Sequence, residues 1–218
     1  MTTRSYGLYM NETENYRNIF GFLALFSGTA LIAHILLRFS LRLTLVVAAG
    51  LILIVVRWGW KHSGPSRRAE IIRFLKVGVL GGALATVLYD ISKFGLSRLN
   101  GSPYNPFEVI RIFGVLLVGS SAPRAIIVPA GTAYHLMNGI LFAVAFCFLF
   151  GRRGAIAGVL WGLFLETIQL TLYPGWLDIR FYREFAQISA FSHVVYGVAL
   201  GLFCKHQLEK HDRGRTEV

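Results

Sequence analysis

The sequence predicts an all-α fold: a polytopic membrane bundle of about six transmembrane helices plus one short interfacial or re-entrant helix. Three observations predict it. The 218 residues are 55% hydrophobic and only 15% charged, with mean hydropathy +0.56. Ordinary soluble domains carry about 25% charged residues. Apolar runs recur at roughly 20 residues, the length a helix rising about 1.5 Å per residue needs to cross about 30 Å of hydrocarbon. Charged, aromatic and Gly/Pro/Asn clusters punctuate those runs.

Residues 1–18 form a polar N-terminal segment. The first apolar run after it is a full span, so no secretory leader is expected. Residues 19–204 then read as a single transmembrane domain. The first span covers about 19–37, with His34 near its end and Arg38 closing it. The second covers about 41–60, and Arg57, Trp58 and Trp60 make a charged and aromatic interfacial collar. A basic loop with Lys61, Arg67, Arg68 and Arg73 surrounds Gly64-Pro65. The third span covers about 74–95, and Asn100-Gly101-Ser102-Pro103 breaks it.

Residues 106–119 are too short to cross. Pro106 suits a first helical position with Asn105 as its cap. Phe107, Ile110 and Phe113 or Gly114 fall at helical spacing, and Glu108 and Arg111 stand three apart. This is the interfacial or re-entrant helix. Ser120, Ser121 and Pro123 end it. The last three spans cover about 130–150, 154–173 and 185–204. Pro174-Gly175-Trp176, with Asp178, reads as a turn carrying an interfacial aromatic. Residues 205–218 are a charged tail.

Lysines and arginines set the orientation. Two lie before the first span, six in residues 57–76, two at Arg152-Arg153 and four in the tail, which puts 14 of the 22 on one side. The positive-inside rule makes that side the cytoplasm, with both termini there. The net charge of +11 then reads as attraction to anionic lipid at that face, not as nucleic-acid binding. Cys147 and Cys204 match no zinc or redox spacing and read as two buried reduced thiols. Glycosylation sequons at Asn11 and Asn100 are discounted, because no other secretory cue accompanies them.

Each of the last three spans carries an ionisable residue at membrane depth: His135, Glu166 and His193. Such groups are costly in hydrocarbon and usually face the bundle interior or a water-filled cavity. Counting rise per residue puts all three, with Asp90 on the third span, in the outer half of the membrane. Gly154, Gly158 and Gly162 climb at four-residue spacing to Glu166, and Gly197 and Gly201 descend likewise from His193. Small residues so spaced let membrane helices approach closely. Pairing Gly162 with Gly197, and Gly158 with Gly201, registers Glu166 beside His193. Asn138 and Gln169 lie one turn from His135 and Glu166 and would support them. Asp90 is more peripheral, and Lys93 on its own face suggests a local ion pair. Gly78-Val79-Leu80 with Gly82 echoes Gly158-Val159-Leu160 with Gly162, and His135 with Gly139 echoes His193 with Gly197, as in a parallel internal repeat.

These residues also carry a resemblance. The stretch from Tyr134-His135 through Phe142-Ala143, Trp161-Gly162, Tyr173-Pro174 and Glu184 to Phe191-Ser192-His193-Val194-Val195-Tyr196 resembles the YagU-type bacterial inner-membrane proteins. It covers about the last 85 residues, and the first three spans do not match. The resemblance implies a bacterial inner-membrane location and a link to acid tolerance. It supplies no catalytic residues.

Function stays open among three readings. Two imidazoles and a carboxylate from His135, Glu166 and His193 could bind a divalent metal ion or relay protons, in transport or sensing. The same set could serve an intramembrane metal-dependent enzyme acting on a lipid-like substrate. The polar groups could also simply lock helices together, with neutral imidazoles bonding across the bundle. A bis-histidine haem is disfavoured, because no further haem signal appears. No GxSxG elbow, P-loop, HExxH or dinucleotide fingerprint is present. Whether the chain is an enzyme, and its oligomeric state, are not set by the sequence.

Overall fold

A computed structural model describes residues 15–99, 101, 104–177, 179 and 181–216. The sequons at Asn11 and Asn100, and Asp178, involve residues outside that set. The described elements are helical throughout, as an all-α bundle requires. They are α1 (Asn15–Leu23), α2 (Phe26–Leu37), α3 (Leu41–Lys61), α4 (Pro65–Leu99), α5 (Glu108–Val118), α6 (Arg124–Phe150), α7 (Gly154–Trp176) and α8 (Tyr182–Thr216). Among the described residues five helices are long and apolar enough to cross a membrane, or six if α1 and α2, bent by 50° at their junction, count as one span.

Several boundaries differ from the sequence reading. The basic 57–76 segment holds only a short turn at 62–64, and Pro65 opens α4. Proline fits a first turn, where its missing N–H has no partner to lose. Pro174 does not start a turn. It sits in the last stretch of α7, which runs on to Trp176. There a missing N–H costs a single bond near a frayed end. The 205–218 tail continues α8 to Thr216, since no breaker interrupts it before Gly214.

Helix α4 is the hub and packs between α6 and α8. Its Phe74 and Ala85 are fully buried. Glycines set its distance from both neighbours. A Cβ on Gly78 would lie 2.7 Å from the Val144 Cα of α6, and one on Gly82 2.8 Å from the Ile140 Cα. On the other side, a Cβ on Gly81 would lie 2.9 Å from the Phe203 ring of α8. Helices α7 and α8 meet still more closely. A Cβ on Gly158 would collide with the Gly197 carbonyl, and one on Gly162 with the His193 carbonyl. Only glycine permits backbones at this separation.

Short α5 folds back on α6 as a hairpin, through Gly119 at φ 91°. Gly114 abuts the Ile127 carbonyl and Gly131 the Ile110 carbonyl. By contrast α3 leans on α2 and leaves Leu43, Val46, Leu51, Leu53 and Ile54 exposed. This is the surface a bilayer covers.

The end of the bundle that holds Asp212 is closed by charge. Arg17 donates twice to the Phe148 carbonyl, at 3.0 and 3.2 Å. The guanidinium groups of Arg17, Arg73 and Arg152 stand 4.7, 5.5 and 6.0 Å from the Phe74 ring. Asp212 of α8 accepts from Arg73 at 2.9 Å and also from Arg152.

Three outcomes follow from these contacts. Gly158→Leu should lower Tm sharply or abolish the monodisperse fold, because overpacking a tight contact costs about 1–3 kcal/mol or more. Gly59→Ala, where a Cβ meets nothing within 4 Å, should leave Tm unchanged. Asp212→Asn should lower Tm by a few degrees in low salt and by less in high salt, since partly exposed ion pairs are worth roughly 0–1 kcal/mol each and are screened.

Candidate functional site

The glycine seams place two carboxylates against two imidazoles. Along α4 and α6 the antiparallel register runs from Gly78 beside Val144, through Thr86 against Gly139, to Asp90 facing His135. His135 Nε2 lies 2.9 Å from Asp90 Oδ1 and 3.1 Å from Oδ2. Along α7 and α8 the register runs from Gly158 beside Gly197, through Gly162 against His193, to Glu166. Here His193 Nδ1 lies 2.8 Å from Glu166 Oε2. Both pairs sit well inside the protein. The side chains of His193 and Glu166 are 11% and 3% exposed, and those of His135 and Asp90 18% and 26%.

The α7–α8 pair has a supporting chain. Gln169 Nε2 donates to Ser189 Oγ at 2.8 Å, and Ser189 Oγ donates to Glu166 Oε2 at 2.7 Å. The Ser189 carbonyl also lies 3.0 Å from His193 Nδ1. The Ser189 carbonyl has no proton to give, so Nδ1 carries the hydrogen. Nε2 is left toward the interior. The same reasoning puts the hydrogen of His135 on Nε2, against Asp90, and leaves Nδ1. A carboxylate behind an imidazole fixes its tautomer and ring orientation.

Tyr89 joins the two pairs. Its ring centroid is 4.9 Å from that of His193 and 6.1 Å from that of His135. Both histidines line one cavity of about 450 Å³, together with Tyr89, Asn138, Gln169 and Lys93. Asp90 and Glu166 stand behind their histidines and do not line it. Tyr196 closes the floor by donating to the Gly139 carbonyl at 2.7 Å.

Several placements differ from the sequence reading. Asp90 is no peripheral partner of Lys93. Its carboxylate faces α6 and receives His135, whereas Lys93 Nζ turns to the Tyr89 hydroxyl at 3.1 Å. His135, Glu166 and His193 do not gather as one three-ligand centre. Glu166 serves His193 while His135 is held by Asp90, and among the described residues no group of three or more His, Cys, Asp or Glu is placed to hold a metal. Gln169 reaches Glu166 only through Ser189. Asn138 lines the cavity, and its Oδ1 is buried without a hydrogen-bond partner among the described residues.

Ser189 and Tyr89 were missed, and Lys93 was read only as a partner of Asp90. Ser189 was within reach, because it lies one turn before His193 on the same helical face. Tyr89 gave no signal, since a tyrosine near a helix end ordinarily reads as an interfacial anchor.

Comparison of the chain with protein-family models, with curated proteins and with solved structures found no match.

The two histidines should differ in ¹⁵N NMR. In their neutral forms His193 should show the Nδ1–H tautomer and His135 the Nε2–H tautomer. Glu166→Gln and Asp90→Asn should each change the spectrum of their own partner and leave the other imidazole as it was. Identical tautomers in the wild type would contradict the geometry.

Proposed function

We propose that this chain is a multi-pass protein of a bacterial inner membrane, with both termini cytoplasmic, that takes up and passes on protons at the cavity between α4, α6, α7 and α8. One observation carries the reading: two imidazoles, each backed by a carboxylate, open onto the same cavity with Tyr89 between them. Intramembrane His and Glu/Asp chains of this kind mark proton relays. A proton reaching Nε2 of His193 or Nδ1 of His135 makes an imidazolium, and the carboxylate behind the ring stabilises it. On deprotonation the same carboxylate holds the ring in place, so the free nitrogen returns to the cavity side. The excess of lysine and arginine on the terminal side supports the orientation and contact with anionic lipid there. The resemblance to YagU-type proteins, with its link to acid tolerance, sits with proton handling.

A divalent metal ion is the less favoured cargo. The donors come as two separated pairs, and each pair already uses its nitrogen and oxygen on one another. Protein sites for such ions usually offer three or four ligands at one point. The cavity favours a second reading more strongly. At about 450 Å³ it lies within the roughly 300–1,000 Å³ of small-molecule sites. The two imidazoles would then do acid–base work on a lipid-like molecule held there.

The test is proton flux. Purified protein in liposomes carrying a pH-sensitive dye should dissipate an imposed pH gradient, and His135→Gln and His193→Gln should each slow this by about tenfold or more, as removing a relay group does. Wild-type liposomes that leak no faster than empty ones would overturn the reading.

A further inference from the structure

Among the described residues, Lys93 is the one cationic side chain lining the cavity that is both buried and without an acid. It is 4% exposed, in the last turns of α4. Its ammonium bonds the Tyr89 hydroxyl at 3.1 Å, and among the described residues no carboxylate forms an ion pair with it. Three acids on the helices around the cavity are already paired. Asp90 holds His135, Glu166 holds His193, and Glu108 pairs with Arg111 at 2.7 Å. A buried ammonium with only a neutral partner is expensive, because removing it from water costs several kcal/mol that a hydroxyl does not return. The balance closes if an anion enters the cavity.

The walls say what the anion is attached to. Val109, Ile112, Phe142, Leu165, Leu177 and Phe181 supply apolar surface to the same cavity, while Lys93, His135 and His193 make its polar pole. Along α4, Lys93 stands about 28 Å beyond Phe74 at 1.5 Å per residue. With Phe74 at the start of the third span, as the sequence places it, that is close to the full thickness of hydrocarbon and puts Lys93 near the lipid headgroups. A free inorganic anion would waste the apolar walls, and a neutral chain would leave the ammonium bare.

We propose that the cavity binds an anionic amphiphile, a phosphate or carboxylate on an apolar chain, with Lys93 as the counter-charge to its head. This rests on the second reading above, that the cavity holds a lipid-like molecule, and it does not require proton movement. The histidines then stand beside the bound head.

Equilibrium binding of radiolabelled dodecyl phosphate tests it, with the full chain in nanodiscs of neutral phosphatidylcholine. Binding should saturate near one molecule per chain. Unlabelled dodecyl phosphate should displace it, and inorganic phosphate or dodecanol at the same concentration should not. Lys93→Met should weaken binding by about tenfold or more, while Lys93→Arg stays within about threefold, the charge being kept. Unsaturable binding to the wild type would overturn the proposal, as would displacement by inorganic phosphate as effective as by dodecyl phosphate. Equal affinity in a Lys93→Met protein of unchanged Tm would do the same. The wild-type competition decides the matter even if Lys93→Met fails to fold. Dodecyl phosphate bound as expected but never turned over would fell the catalytic reading alone.

Discussion

The structure depends on backbones meeting without side chains between them. Where α7 crosses α8, and where α4 crosses α6, glycine lets carbonyls and Cα atoms of the two helices touch. In lipid there is little hydrophobic force to pull helices together, so such contact, through dispersion and close dipoles, is what holds the pairs. The contact also fixes register. Gly158 against the Gly197 carbonyl and Gly162 against the His193 carbonyl hold one register. Everything further along them is therefore set, and what lies further along is Glu166 and His193. The same holds for Gly78 and Gly82 against α6, with Asp90 and His135 beyond.

Register matters because the polar groups have no other way to be satisfied. A carboxylate or imidazole left alone in hydrocarbon is costly, and the cost falls only when a partner is fixed within hydrogen-bonding distance. Each pair solves this across a helix interface. The solution leaves one ring nitrogen of each histidine unspent, and both rings border the same cavity. The opposite end of the bundle shows the contrast. There Arg17, Arg73 and Arg152 surround Phe74 and bind Asp212 or a carbonyl.

Much of this was legible in the residues. The all-α bundle follows from run length and composition. The pairing of α7 with α8 follows from glycines four apart running in opposite directions to Glu166 and His193. The pairing of His135 with Asp90 was not legible in the same way. Asp90 has Lys93 within one turn, and one-dimensional spacing favours a local pair, whereas the side that α4 turns toward α6 is set by Gly78 and Gly82. Helix ends were also hidden. Pro65 and Pro174 are ordinary turn residues in sequence, and only the neighbouring chain shows that one opens a helix and the other rides in a last turn. Lys93 read as the local partner of Asp90, whereas it is buried with its ammonium on the Tyr89 hydroxyl.

Infrared difference spectroscopy on acidification of the reconstituted protein addresses the central claim most directly. The account predicts changes in carboxyl and imidazole bands from two separate pairs. One set should vanish in Glu166→Gln and the other in Asp90→Asn, each leaving the rest of the spectrum in place. A wild-type spectrum in which neither Glu166 nor Asp90 contributes would show that the pairs only brace the helices, and would contradict the account.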